Sequence, residues 1–429
     1  MVSPRHQKCG GRGVFAVTRE STRSVDRTRS LVIDGIRSAG EISRVELAGR
    51  TGLTEATIST VVRKAIDDGL VIEVGQGVST GGKRRTILAI NSSARHAVGV
   101  SLARSRIALV LTDLSGVVIA VSESEGARDT DPLTVTERLA REIATFLEAH
   151  DIDPRSVVGV GIASPGPLDC AVGELRGLQP GPLWRGFALE ERLENLTGLR
   201  VLLDNDATCA ALGDYWTTLH DASPPVSATV YMADGIGAGI LVEGRVFHGS
   251  SSNPGELGHI SLDINGPQCH CGAQGCVEVF ASPAAVAAAA MRNPDLVASL
   301  ELSDDPDVDR RTFEAVASAA ISGDKIARGL IEASATYLGA GIVTLSNLLD
   351  LDEIHLSGPG FAIAGEIYAE IVRDMLRRGT FMRSIHPVAV KLSDLGVNAA
   401  AIGAAALVMQ HQITPHSAIS SRRADVAAG

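Results

Sequence analysis

The 429-residue chain reads as an α/β protein in which a small helical head with a hairpin wing precedes a larger body of two α/β lobes. Three observations predict this. Capped helical segments separated by a glycine turn occupy the first ninety residues, strands and helices alternate in two successive series after Asn91, and the length exceeds one typical domain. With 45% hydrophobic and 21% charged residues the composition is ordinary for globular protein.

Residues 1–24 lack apolar periodicity and read as a mobile tail, as do residues 413–429. The opening MVSPRHQKCGGRG has no apolar core of the kind a secretory signal needs, so the cytoplasm is the expected compartment. Ala399 to Met409 is shorter than the roughly 20 residues of a membrane span. It predicts a buried helix.

The head is expected over 25–92. Leu31, Ile33 and Ile36 supply the apolar face of a first helix that Gly40 ends, Ser43 caps a second (RVELAGRTG), and Thr54 caps a third. On the third, EATISTVVRKAIDDG, the residues Ile58, Val61, Val62, Ala65 and Ile66 follow the spacing of a buried stripe. Gly52 fits the tight turn of a helix-turn-helix, and Leu70-Val71-Ile72 with TGGKRRTILAI makes a wing.

Such a head would place helix three in a major groove, with Thr57, Ser59, Thr60, Arg63 and Lys64 towards the DNA and Lys83, Arg84 and Arg85 on phosphate. A three-helix dimerisation module with a solvated face fits the same pattern. Charge bears on the choice: residues 1–90 hold 15 Lys and Arg against 9 Asp and Glu, a net +6, which leaves −17 for the rest of a chain of net charge −11. Nucleic-acid contact is therefore expected at the head.

The body is expected over 93–412. HAVGVSLA, RIALVLTD and GVVIAVS read as strands, a helix follows through Thr134 to Ala149, and VVGVGIAS is another strand. A second series begins with SATVYMA and AGILVEG and includes EIHLS. Two such series predict paired lobes with a cleft between them. Asn205 and Asp206 lie where RVLLD meets a helix; Asp206 could serve as a base toward a hydroxyl or cap the helix. Gly235, Gly237 and Gly239 would let backbone NH groups approach a phosphate, or simply form a tight hairpin.

Three of the six cysteines, Cys269, Cys271 and Cys276, fall within eight residues. A reducing compartment disfavours disulfides, so this cluster points toward a metal.

The head pattern followed by SPGPLD, DNDA, GIGAGI, GELGH, CHCGAQGCVE and HLSGPG resembles the ROK family of sugar-responsive repressors and sugar kinases, over about residues 25–412. The resemblance implies a two-lobed actin-like ATPase (ribonuclease H-like) body and assembly into homodimers or homotetramers. It also implies that His259, Cys269, Cys271 and Cys276 are structural zinc ligands, since a Cys3His set leaves no open position for substrate. His270 is read as a bystander. The pinned loop would then hold Glu256, His259 and Glu278 beside a sugar or sugar phosphate whose hydroxyls also meet Asn205 and Asp206.

The chain departs from the kinase pattern in three places. Where ROK kinases carry Asp-x-Gly-x-Thr for magnesium and phosphate, this sequence has Ser101-Leu102-Ala103-Arg104-Ser105. Pro180 to Leu183 offers no asparagine before Trp184, and Asp234 replaces a usual threonine. Binding of MgATP is thus not expected, although Asp206 keeps the base position. The reading is a sugar-responsive repressor of operator DNA, with an active ATP-dependent sugar kinase carrying a DNA-binding head as the alternative.

Overall fold

The computed structural model describes residues 28–76, 85–177, 180–218, 224–302 and 308–413. The chain divides into two compact units, residues 1–91 with 410–429 in one and Ser92–Met409 in the other.

In the first unit helix α1 (28–39) buries Val32, Ile33 and Ile36, while Leu31 is 44% exposed. Ile33 and Ile36 of the expected face are buried, and Val32 takes the place expected for Leu31, because the two are similarly apolar and packing alone selects between them. Gly40 turns the chain in the left-handed region into β1 (Glu41–Ser43), a strand not anticipated from the sequence. Ser43 then caps α2 (Arg44–Thr51) in a reciprocal box: the Glu46 carboxylate accepts from the Ser43 backbone NH at 3.0 Å and its hydroxyl at 2.7 Å. Those bonds hold the Glu46 carboxyl below its usual pKa.

Gly52 closes α2 at φ 68°, and Thr54 caps α3 (Glu55–Asp67), which buries Ile58, Val62 and Ala65. Strands β2 (Val71–Gln76) and β3 (Thr86–Ile90) complete an antiparallel sheet of order β1-β3-β2. Lys83 and Arg84, expected on the wing, lie outside the described residues.

The second unit begins with β4 (His96–Leu102), β5 (Arg106–Asp113) and β6 (Val118–Glu125), an antiparallel meander. Helix α4 (Pro132–Ala149) starts at an Asp131 cap with Pro132 in its first turn, and buries Val135, Leu139 and Ile143 against the sheet. Next come β7 (Val157–Ser164), a small hairpin of β8 (Leu168–Asp169) and β9 (Glu174–Leu175), helix α5 (Leu189–Thr197), β10 (Val201–Asn205) and α6 (Asp206–Thr217). The sheet order is β10-β7-β4-β5-β6, with β7 and β10 parallel to β4.

The second lobe repeats this plan. Its meander is β11 (Val226–Met232), β12 (Ile236–Val242) and β13 (Arg245–Val246). Helices α7 (Val277–Ala281), α8 (Pro283–Met291), α9 (Pro294–Ser299), α10 (Val308–Ile321) and the long α11 (Lys325–Leu349) follow. They lead to β14 (Glu353–Ser357), α12 (Gly365–Gly379), β15 (Ala389–Leu392) and α13 (Ala399–Ile413). The order β13-β12-β11-β14-β15 is that of the first sheet, strand for strand.

Each lobe's last helix covers the other lobe's sheet. Helix α6 packs on β11 and β12, and α13 lies on β4 and β7, where β-carbons at Gly99 and Gly161 would collide with the carbonyls of Ala401 and Ala404. The two helices cross where Gly403 meets the backbone of Cys209. This exchange ties the lobes into one unit and brings the ends of β7 and β10 opposite the loops after β13. Among the described residues no helix is long and apolar enough to cross a membrane.

Candidate functional site

On the first lobe, Asn205 caps α6, its side-chain oxygen accepting from the NH groups of Ala207 at 3.0 Å and Thr208 at 3.2 Å. This orientation turns the amide nitrogen towards Gly166, whose β-carbon, if present, would sit 3.4 Å from it. Asp206 opens α6 and accepts from the Ala207 NH at 2.8 Å. Burial pushes the Asp206 carboxyl up to about 6, with Glu256 and Asp234 adding to the rise.

The second lobe contributes Glu256, which reaches the same point: its Oε1 would lie 3.5 Å from a Gly166 β-carbon, and Asn253 Oδ1 3.7 Å. Asn205, Asn253 and Glu256 thus converge on one hollow floored by Gly166. Glu256 is exposed on this hollow, yet partial desolvation of its carboxyl raises its pKa, opposed by His259 and reinforced by Glu278. Glu278 is turned elsewhere. One oxygen accepts from the Ile236 NH at 3.2 Å and the other lies 3.4 Å from His270 Nδ1.

Between these carboxylates sits a side-chain cluster of His259, Cys269, Cys271 and Cys276, with ligand atoms all within 4.8 Å of one another. His259 Nδ1 lies 3.6 Å from Cys269 Sγ, and Cys271 Sγ 3.7 Å from Cys276 Sγ. A tetrahedral ion with metal–sulfur bonds of about 2.3 Å has ligand–ligand edges of about 3.8 Å, so the four atoms are spaced to hold a metal ion. Gly272 at φ 98° and Gly275 at φ 63° turn the loop, and a β-carbon on Gly275 would strike the Asp263 carbonyl.

The cluster is continuous with both carboxylates. His259 closes the 3₁₀ turn that begins after Glu256, and Cys276 is the residue immediately before α7, which carries Glu278. His270, read from the sequence as a bystander, stacks edge-on to His259 with ring centroids 5.1 Å apart and meets Glu278.

The three glycines divide. Gly235 lies in the turn between β11 and β12, under Glu278, whereas Gly237 and Gly239 stand inside β12. There they admit α6: a Gly237 β-carbon would come 3.0 Å from Ala207 Cβ, and one on Gly239 would collide with the Ala207 carbonyl. Close helix packing accounts for these two. In the equivalent turn of the first lobe, Arg104 makes a two-pronged ion pair with Asp129 at 2.9 Å through each nitrogen. Arg106 pairs with Glu123 and reaches across to Asn398.

On α3, Thr60, Arg63 and Lys64 are exposed and Thr57 and Ser59 half-buried, so all five border the outer face. Two of these hydroxyls are engaged locally: Thr57 bonds the capping Thr54 at 2.9 Å, and Thr60 donates to the Ala56 carbonyl at 3.0 Å. Arg85 is exposed and close enough to Glu46 to lower its pKa.

Residues 97–411 match the ROK family. The chain belongs to that family. It is 27% identical to the xylose repressor of Caldicellulosiruptor bescii over 386 residues, covering 90% of this chain and 96% of that protein. It is 31% identical to the N-acetylglucosamine repressor of Escherichia coli O157:H7 over 320 residues, or 74% and 77% of the two chains. A solved ROK family transcriptional regulator, a homologue of the E. coli MLC protein, superposes with TM-score 0.69 at 26% identity over 95% of this chain and 99% of its own. A ROK glucokinase from Streptomyces griseus with glucose and AMPPNP gives TM-score 0.63 at 26% identity, over 73% and 98%. The body accordingly has the two-lobed actin-like ATPase fold of the ROK proteins.

The sequence reading missed Gly166, Asn253 and the pair of His248 with the fully buried Asp204 at 3.0 Å. Asn253 stands two residues before the GELGH signature, in a serine-rich loop that carries no periodic signal.

Proposed function

We propose that the protein is a sugar-responsive transcriptional repressor, with a winged helix-turn-helix over 25–92 that binds operator DNA and a sensor body over 93–412. The relatives that match nearly the whole chain are named as repressors, and the kinase match covers the body alone. The single observation that carries the reading is a contrast within the body. A polar hollow of Asn205, Asn253 and Glu256 is present, with Asp206 close enough to Glu256 to feel its charge, while residues 103–105 of the hairpin turn that would meet a nucleotide include no carboxylate of their own and Arg104 is paired with Asp129.

Hydroxyl-rich ligands suit that hollow, because amide and carboxylate groups pair with adjacent hydroxyls. A sugar or sugar phosphate is the assigned ligand, with His259 and Glu278 completing the wall through the metal loop. Zinc is the assigned ion at His259, Cys269, Cys271 and Cys276. Its role is to hold the segments that bear Glu256 and Glu278, since four protein ligands leave no open coordination position. The repressor works in the cytoplasm as a homodimer or homotetramer.

On α3, Thr57, Ser59, Thr60, Arg63 and Lys64 face the bases, with Lys83, Arg84 and Arg85 on phosphate. Arg63→Ala is expected to reduce sequence preference, and Lys83→Ala to weaken binding to all sequences and flatten its salt dependence.

One observation favours a kinase: the Asp206 carboxyl near 6 is tuned for general-base work. The deciding experiment titrates operator release with D-xylose, D-glucose and N-acetyl-D-glucosamine, with and without MgATP. A repressor releases DNA without ATP and accumulates no phosphorylated sugar, with a coupling of typically 1–3 kcal/mol, or about 5- to 150-fold. Sugar-dependent ATP turnover that vanishes in Asp206→Asn establishes the kinase instead.

A further inference from the structure

One segment of the second lobe, from Phe247 to Glu256, reaches across to the first lobe at two places. Asn253 clamps the backbone of Leu168 from both sides: its Oδ1 accepts from the Leu168 NH at 2.8 Å and its Nδ2 donates to the Leu168 carbonyl at 2.8 Å. The same Nδ2 donates to the Ser251 carbonyl at 2.8 Å, which fixes the amide within its own loop. Five residues earlier, His248 Nε2 meets Asp204 Oδ2 at 3.0 Å, at the end of the strand that delivers Asn205.

Leu168 stands two residues after Gly166, and Asn253 three residues before Glu256. Both ends of this clamp are thus adjacent to the hollow. All polar atoms of the Asn253 amide are used in holding backbone, so its contribution is placement.

We propose that Asn253 is a positioning residue of the ligand site, which sets the spacing between the Gly166 floor on one lobe and Glu256 on the other. The inference rests on the sugar-sensor reading for the identity of the ligand, not for the clamp itself. Glu256 acts on a ligand hydroxyl only if Gly166 and Asn205 lie at the matching distance, and a small misplacement across a hydrogen-bonded site weakens every bond in it. The clamp removes that freedom before ligand arrives. Because the two halves belong to different lobes, it also makes ligand binding sensitive to how the lobes are set. His248 and Asp204 support the same segment from its other end.

The test uses the full-length protein and two variants. Asn253→Ala removes both bonds, whereas Asn253→Asp keeps an acceptor for the Leu168 NH and loses the donor. Hydrogen exchange without ligand reads the clamp: the Leu168 amide is expected to lose protection in Asn253→Ala and to keep most of it in Asn253→Asp. Calorimetry with D-xylose, D-glucose and N-acetyl-D-glucosamine reads the site: the sugar that binds wild type is expected to bind Asn253→Ala about tenfold more weakly (about 1.4 kcal/mol). Asn253→Asp should fall in between.

A double-mutant cycle with Glu256→Ala separates placement from general loosening. Effects that overlap, so that Asn253→Ala costs little once Glu256 is gone, support positioning; full additivity overturns it. Unchanged Leu168 exchange in Asn253→Ala overturns the clamp, and lost protection with unaltered sugar affinity overturns its role in the site. If none of the sugars binds wild type, the sensor reading fails on its own, and the exchange result alone decides the clamp.

Discussion

The two lobes of the body share one strand order and one sequence of connections, yet their corresponding turns do different work. In the first lobe the β4–β5 turn is closed by arginine: Arg104 holds Asp129, and Arg106 holds Glu123 and Asn398. In the second, the β11–β12 turn lies against Glu278, and the segment between β13 and α7 carries the metal cluster and Glu256. The same topological unit therefore serves in one place as a sealed edge and in the other as the support of the candidate site. Function resides in what is inserted after the meander, and the shared meander only presents it.

The largest effect expected from this difference is on the metal loop. If the proposed zinc is bound, Cys271→Ser should abolish binding of one zinc per chain and eliminate the sugar response, because an ion held there would fix both carboxylate-bearing segments. Cys170→Ser, which alters a buried thiol of the first lobe, should leave zinc unchanged; elemental analysis of both proteins distinguishes the lobes directly. Loss of zinc in both variants would break the comparison.

Next in size is Glu256→Ala, expected to weaken sugar binding about 10- to 100-fold, as removal of a hydrogen bond to a charged group does. Calorimetry measures it. An equal loss in Glu278→Ala would show that the second lobe's two carboxylates share the ligand; retained affinity would assign Glu278 to the Ile236 turn it already holds.

Asp206 offers an effect on stability that depends on pH. Its carboxyl rises from the ordinary 3.8 to about 6 in the folded protein, so the folded state binds that proton more tightly than the unfolded chain. The resulting penalty is absent below about pH 4, grows as pH climbs through 6, and is complete above it. Asp206→Asn should therefore stabilise the protein by about 1–3 kcal/mol at pH 7.5 and hardly at all at pH 4. Denaturant melts at the two pH values check this, and a pH-independent difference would contradict the desolvated setting.

Smallest of all should be Arg104→Ala. An exposed ion pair contributes little, so the melting temperature should stay within about 2 °C of wild type. The variant sharpens the comparison in another way: if it bound ATP where wild type did not, the arginine would be what closes that turn.

Much of this was readable in the chain because it is local. Ser43, Gly52 and Thr54 announce helix ends by their own chemistry, and the four metal-cluster residues fall within eighteen positions. What depends on a distant partner was not. Leu31 and Val32 compete for one core position that only packing decides, and β1 is three residues long, too short to show alternation. Alanine-rich α8 has no polar face for periodicity to detect. Gly237 and Gly239 resembled a phosphate loop, but their reason is Ala207 of α6, some thirty residues earlier. Asn253 and Leu168 are 85 residues apart, and nothing in either neighbourhood names the other.

The crossing of α6 and α13 has a mechanical consequence. At Gly403 the two helices touch through backbone, and Ala207, Cys209 and Ala210 of α6 pack with Ala399, Ala400 and Ala404 of α13 in one buried cluster around that contact. A contact this close works as a rivet. Neither helix can shift without disturbing the sheet it covers in the other lobe. A methyl group at Gly403 would force the rivet apart, and with it the two lobes that it joins.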